Sequence, residues 1–206
     1  MDDILEHGYN FFLMFQIKGI HKIKIIFKKK LYDCSFLFNN CKEIIEIDLS
    51  NFDYSQMTAA ESMFDKCQSL YKVNLGKLDF SLCKNFKSLF NESKKLENID
   101  VSHFNTKNSI TFEKMFCGCR KLKYVNVSKF NSSKCESINS MFKYCENLYE
   151  IDMIKWDLSN IKINIMDKED KEKQKNAGIL PMFGIGIIHL MNHIFKRNSI
   201  DYLFFG

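Results

Sequence analysis

His189 and His193 stand four residues apart, so on a helix their imidazoles would share a face, the spacing at which two histidines can hold zinc. No glutamate follows His189 and no third ligand lies nearby, so the pair reads as incidental to an apolar stretch. Cys117 and Cys119, one residue apart, are tighter than the usual Cys-x-x-Cys clip, and no histidine is close in sequence. Gly184 and Gly186 lack the remaining glycine and the preceding strand of a dinucleotide-binding fingerprint. No Gly-x-Ser-x-Gly turn is present to raise a nucleophile. Asn91, Asn126 and Asn131 begin glycosylation sequons, which matter only in an exported chain. The expectation is a non-enzymatic protein with no cofactor, no metal and no small-molecule substrate.

The bulk numbers suit a folded chain. Of 206 residues, 46% are hydrophobic and 27% charged, and proline occurs once, at Pro181. The net charge of +5 is carried almost wholly by lysine, because Arg120 and Arg197 are the only arginines. Base and phosphate readers favour arginine's planar fork, so nucleic acid is not expected as a partner. Four of the eight cysteines, Cys41, Cys67, Cys119 and Cys145, fall at one recurring position, where Ser93 substitutes once. A small side chain is wanted there, and reduced core thiols are expected rather than a disulfide framework.

That recurrence belongs to a longer one. Phe38, Phe64, Phe90, Phe116 and Phe142 are spaced by 26 residues with no insertion, the signature of a stacked repeat protein. Six residues after each come Ile44, Leu70, Leu96, Leu122 and Leu148, and nine after come Ile47, Val73, Ile99, Val125 and Ile151. Positions eleven and fourteen are again apolar, from Leu49 and Phe52 to Met153 and Trp156. The alternation predicts a short strand leading into a turn. Short polar residues follow (Asp53, Asp79, Asn105, Asn131 and Asp157) and are suited to hold a bend. Farther on, Ala60/Met63, Phe86/Leu89, Phe112/Met115 and Ile138/Met141 are spaced by three, which predicts a helical turn returning to the next strand. One unit cannot stand alone, since it buries its faces only against its neighbours.

The run Met-Phe-x-x-Cys-x-x-Leu-x-x-Ile-Asp-Leu-Ser-x-Phe-Asp-x-Ser, seen at Met63 to Ser81 and Met141 to Ser159, resembles the BspA-type leucine-rich repeats. It is closer still to the 26-residue repeat first catalogued as a domain of unknown function in mycoplasma lipoproteins and common in protists. Ile23 to Cys41 is similar to the way such arrays begin, and the resemblance spans residues 20–161. It implies an α/β fold: a right-handed leucine-rich-repeat-like solenoid with a parallel sheet on one face and short helical turns on the other. It also implies adhesion to partner proteins and carries no catalytic residues.

The expected organisation is a leader and capping strand over 1–37, five repeats over 38–161, a charged linker over 162–176, and an apolar tail over 177–206. Within the first part, Ile23, Ile25 and Phe27 alternate with lysines as an end strand would. Residues 177–195 contain no charged side chain, so a membrane anchor is the alternative reading, and with it a tethered surface or adhesion protein. No secretory signal is evident at the start, which favours the cytoplasm, with the cell surface as alternative.

The strand residues between core positions must face outward, and stacking sets them in rows. One row is Asp48, Asn74, Asp100, Asn126 and Asp152; the other is Glu46, Lys72, Asn98, Tyr124 and Glu150. The first reads either as a solubility device, with amides separating carboxylates, or as a contact row. The second varies as a recognition face would, with Tyr124 as an anchor. A protein partner on this face is the leading expectation.

Overall fold

A computed structural model of the chain describes residues 31–53, 55–76, 80–151, 153, 155–157 and 159–160. The strand expected over 20–30, the charged linker, the paired histidines and the apolar tail lie outside the described residues.

The alternating stretch of each repeat forms a very short strand: β1 (Glu46–Asp48), β2 (Lys72–Asn74), β3 (Asn98–Ile99), β4 (Tyr124–Val125) and β5 (Glu150–Ile151). All pairing is parallel, and each residue meets its counterpart one repeat on: Ile47 opposite Val73, Ile99 opposite Val125, Val125 opposite Ile151. The ladder is not continuous. β1 and β2 form one sheet and β3, β4 and β5 another, with a seam between β2 and β3.

A second parallel ladder runs along the stack through single bridges joining Asp33, Ala59, Asn85, Thr111 and Ser137 in succession. It includes Asp33 and Phe36, whose amide donates to Glu61 O at 2.9 Å, so the repeating structure begins before Phe38. A cyclic repeat has no privileged first residue.

The helical turns expected around Ala60, Phe86, Phe112 and Ile138 are not there; among the described residues no helix forms. The backbone shows why. The amides of Ala60, Ser62, Phe64 and Lys66 all donate to carbonyls of the next repeat, whereas those of Met63, Asp65 and Cys67 donate to the third residue back. Neighbouring amides thus alternate between the next repeat and a local turn. To make that alternation the chain passes through left-handed backbone twice per repeat, at Ser62 (φ 53°) and Lys66 (φ 59°), and again at Ser88 and Glu92. Such φ values are foreign to a right-handed helix. Successive turns closed between i and i+3 also space apolar side chains by three, so the expected signal was present with another cause.

The core is two stacks of rings. Phe38, Phe64, Phe90, Phe116 and Phe142 lie one above the next with centroids 5.1–5.7 Å apart and planes within 8°. Those separations are offset parallel stacking, which aromatic quadrupoles favour over a face-to-face sandwich. Phe104, Phe130 and Trp156 make the second stack, with Phe86 and Phe112 wedged beside it. Trp156 buries its indole and satisfies Nε1–H on Val127 O at 3.0 Å.

The recurring cysteines have a specific task. The thiols of Cys67, Cys119 and Cys145 donate to the carbonyls of Phe38, Phe90 and Phe116, each 29 residues upstream, at 3.0–3.1 Å. In the middle repeat Ser93 Oγ makes the same bond to Phe64 O at 2.9 Å. What the site needs is a small buried donor, and either residue type supplies it. All eight cysteines are free.

Candidate interaction surface

The strands carry their odd and even residues to opposite sides, so β1 buries Ile47 while Glu46 and Asp48 face out. Lys72 and Asn74 of β2, Asn98 of β3 and Tyr124 of β4 face out likewise. Register places Glu46 beside Lys72, and Asn98, Tyr124 and Glu150 in one line. Of the expected residues Asp100 is exposed, Asn126 is half-buried, and Asp152 lies outside the described residues.

The Asp/Asn row does more than face solvent. The side-chain oxygen of each accepts the backbone N–H two residues on: Ser50 to Asp48 at 2.9 Å, Gly76 to Asn74 at 3.1 Å, Ser102 to Asp100 at 2.9 Å, and Ser128 to Asn126 at 3.1 Å. These Asx turns bend the chain out of each strand. Aspartate and asparagine both offer that acceptor, which explains why they interchange without interrupting the fold. The Ser50 backbone N–H, then its hydroxyl, holds the Asp48 carboxyl below the usual range. For Asp100 the Ser102 hydroxyl comes first and its N–H second, with the same result. The turn residues expected at Asp53, Asn105, Asn131 and Asp157 act in the same way, accepting from Ser55, Lys107, Ser133 and Ser159.

A row just ahead of the strands was overlooked in the sequence. Ile45, Tyr71, Glu97, Lys123 and Tyr149 lie seven after the leading phenylalanine, and Ile45, Tyr71 and Tyr149 are about half exposed or more. Between the two tyrosines, Lys123 Nζ meets Glu97 at 2.7 Å, and that carboxylate holds the ammonium above its ordinary pKa. The available signal was three large apolar residues at a position flanked by strand, where a soluble surface has no need of them.

The seam between β2 and β3 opens a shallow groove of about 330 Å³. Val73 and Ile99 floor it, and Asn98, Asp100, Ser102, Tyr124 and Asn126 supply the rest of its lining. Val73 is half-buried there, while Ile47, Ile99, Val125 and Ile151 at the same repeat position are buried. Gly76 stands in the turn after β2. Its φ of +63° is one that side chains rarely adopt, and a Cβ there would lie 2.8 Å from Ser50 Cα.

His103 borders this region, its Nδ1 3.9 Å from Asp100 and its ring edge-on to Phe104. No set of three His, Cys, Asp or Glu side chains among the described residues is arranged to bind a metal ion.

The family model described as "Mycoplasma protein of unknown function, DUF285" matches residues 32–149 and again 70–180. The chain belongs to the DUF285 family. Two overlapping matches are what a repeat in register with itself produces, since a model spanning several units can be laid along the chain in more than one phase. No curated protein and no solved structure matches the DUF285 chain. Among its described residues no helix is long and apolar enough to cross a membrane.

Proposed function

We propose that the chain is a right-handed solenoid of the BspA-like, leucine-rich-repeat kind that binds a protein partner through its strand face and performs no chemistry itself. The observation that carries this is the exposure of Tyr71, Tyr124 and Tyr149, each 38–66% exposed, with Tyr124 lining a groove on a face whose core work is done from the other side. Exposed tyrosines are costly to solubility yet supply large, stiff contact area to an interface. The repeat supports the reading too, because stacking aligns side chains over a length that a partner can span.

Proximity labelling in the native cell tests it. A chain carrying Tyr71→Ser, Tyr124→Ser and Tyr149→Ser should keep its melting temperature within a few degrees and lose specific neighbours that the unmodified chain labels. An unchanged neighbour set would overturn the proposal. The tethered alternative, an anchor in residues 177–195, predicts that the chain pellets after alkaline extraction of membranes; release into the supernatant would remove it.

A further inference from the structure

We infer that the strand face takes a basic, lysine- and arginine-rich segment of a partner protein, with one cationic side chain seated in the groove beside Tyr124. This rests on the interaction reading above and adds the chemistry of the occupant.

Charge complementarity is the first argument. The whole chain is net +5, yet the described side chains of this face are net acidic by one: Glu46, Asp48, Glu97 and Asp100 against Lys72, Lys123 and Lys129, the last acting on Asp100. Lys123 is already tied to Glu97 at 2.7 Å, which leaves Glu46, Asp48 and Asp100 facing Lys72 and Lys129. A cationic segment is the electrostatic complement of that excess.

The groove supplies the second. Its floor is aliphatic, at Val73 and Ile99, and suits the methylene stem of a long side chain. Its rim carries the Asp100 carboxylate and the Tyr124 ring, an ion-pair partner and a π face for the charged end. The Asp100 side chain is 76% exposed and spends Oδ1 on Ser102, with His103 Nδ1 3.9 Å away, so the carboxylate stays open to a guanidinium or ammonium arriving from solvent.

The fold offers a clean variant. Asn74 and Asn126 already serve as the turn acceptor where Asp100 stands, so Asp100→Asn removes the charge and keeps the turn. The full chain is titrated with fluorescein-labelled oligo-arginine and oligo-lysine, and with oligo-glutamate as the opposite probe, by fluorescence anisotropy at physiological salt. Saturable binding of the cationic probes is expected, weakened about 3- to 10-fold by Asp100→Asn and by Tyr124→Leu. Glu136→Gln, on the second ladder, should leave it unchanged. No saturable binding, preference for oligo-glutamate, or equal loss in all three variants would overturn the inference. If the tyrosine variants lose their cellular neighbours while no cationic probe binds, the face is an interface and the chemistry assigned to its occupant is wrong.

Discussion

A thiol and a hydroxyl perform one task in successive repeats, so the cost of changing them depends on donor and volume together. Cys119 donates from a fully buried site to Phe90 O. Cys119→Ser recreates the Ser93 arrangement and should change the unfolding free energy measured in urea by less than about 1 kcal/mol, whereas Cys119→Val removes the donor and should cost about 2 kcal/mol. Burial pushes the thiols up, Cys34 and Cys83 to about 12 and Cys135 to about 11, against 9.0 for the free group. The folded state then holds its protons where the unfolded state has released them. Stability from these groups is full below about pH 9 and falls as pH climbs toward 12. Cys83→Ser, matching Ser109 at that position of the next repeat, should make the alkaline decline in urea midpoint shallower. The sequence displayed the equivalence of cysteine and serine but not its reason, because the accepting carbonyl lies 29 residues away. Small size was legible; donation was not.

At the scale of the elements, the strand was legible and the returning segment was misread. A spacing of three at Phe86 and Leu89 is shared by helices and by successive i to i+3 turns, and only the backbone distinguishes them. The deciding residues are left-handed ones that no glycine announces: Asn40, Lys66, Glu92 and Tyr144 hold φ of 55–62° where the fourth repeat has Gly118. A side chain in that region costs about 1–2 kcal/mol, offset in part by the greater unfolded freedom of glycine. Gly118→Ala should therefore destabilise by about 1 kcal/mol, since the nearest obstacle is the movable end of Glu92. Gly76→Ala should cost clearly more, because its Cβ would strike the Ser50 backbone, which cannot swing aside. Chemical denaturation of the two variants side by side reads the difference, and equal losses would contradict this contrast between a backbone and a side-chain obstacle. The departure at Gly76 was visible in the sequence, as the one glycine where other repeats have Ser50, Ser102 and Ser128.

Across the whole molecule, the spacing of 26 residues is the quantity most fully written in the sequence, and the structure repeats it in both ladders and both ring stacks. The face was legible for the same reason, since period two along a strand and period 26 along the chain together dictate which residues line up. The half-exposed tyrosines at the position ahead of the strand were not, because no alternation announces a residue outside it. If each unit is held only by its neighbours, the array should tolerate loss of a whole unit and not of a fraction. Removing residues 90–115 joins Leu89 to Phe116, sets Phe64 over Phe116, and lets Asn85 bridge Ser137 in place of Thr111. That chain should melt cooperatively at a lower temperature, with a smaller urea m-value in keeping with the surface lost. Removing residues 90–102 takes out half a unit and brings His103, not a phenylalanine, into the ring stack, so the amides of repeat two no longer meet their acceptors. It should show no cooperative transition by circular dichroism. Folding of both, or of neither, would mean that something other than register between adjacent units holds the stack together.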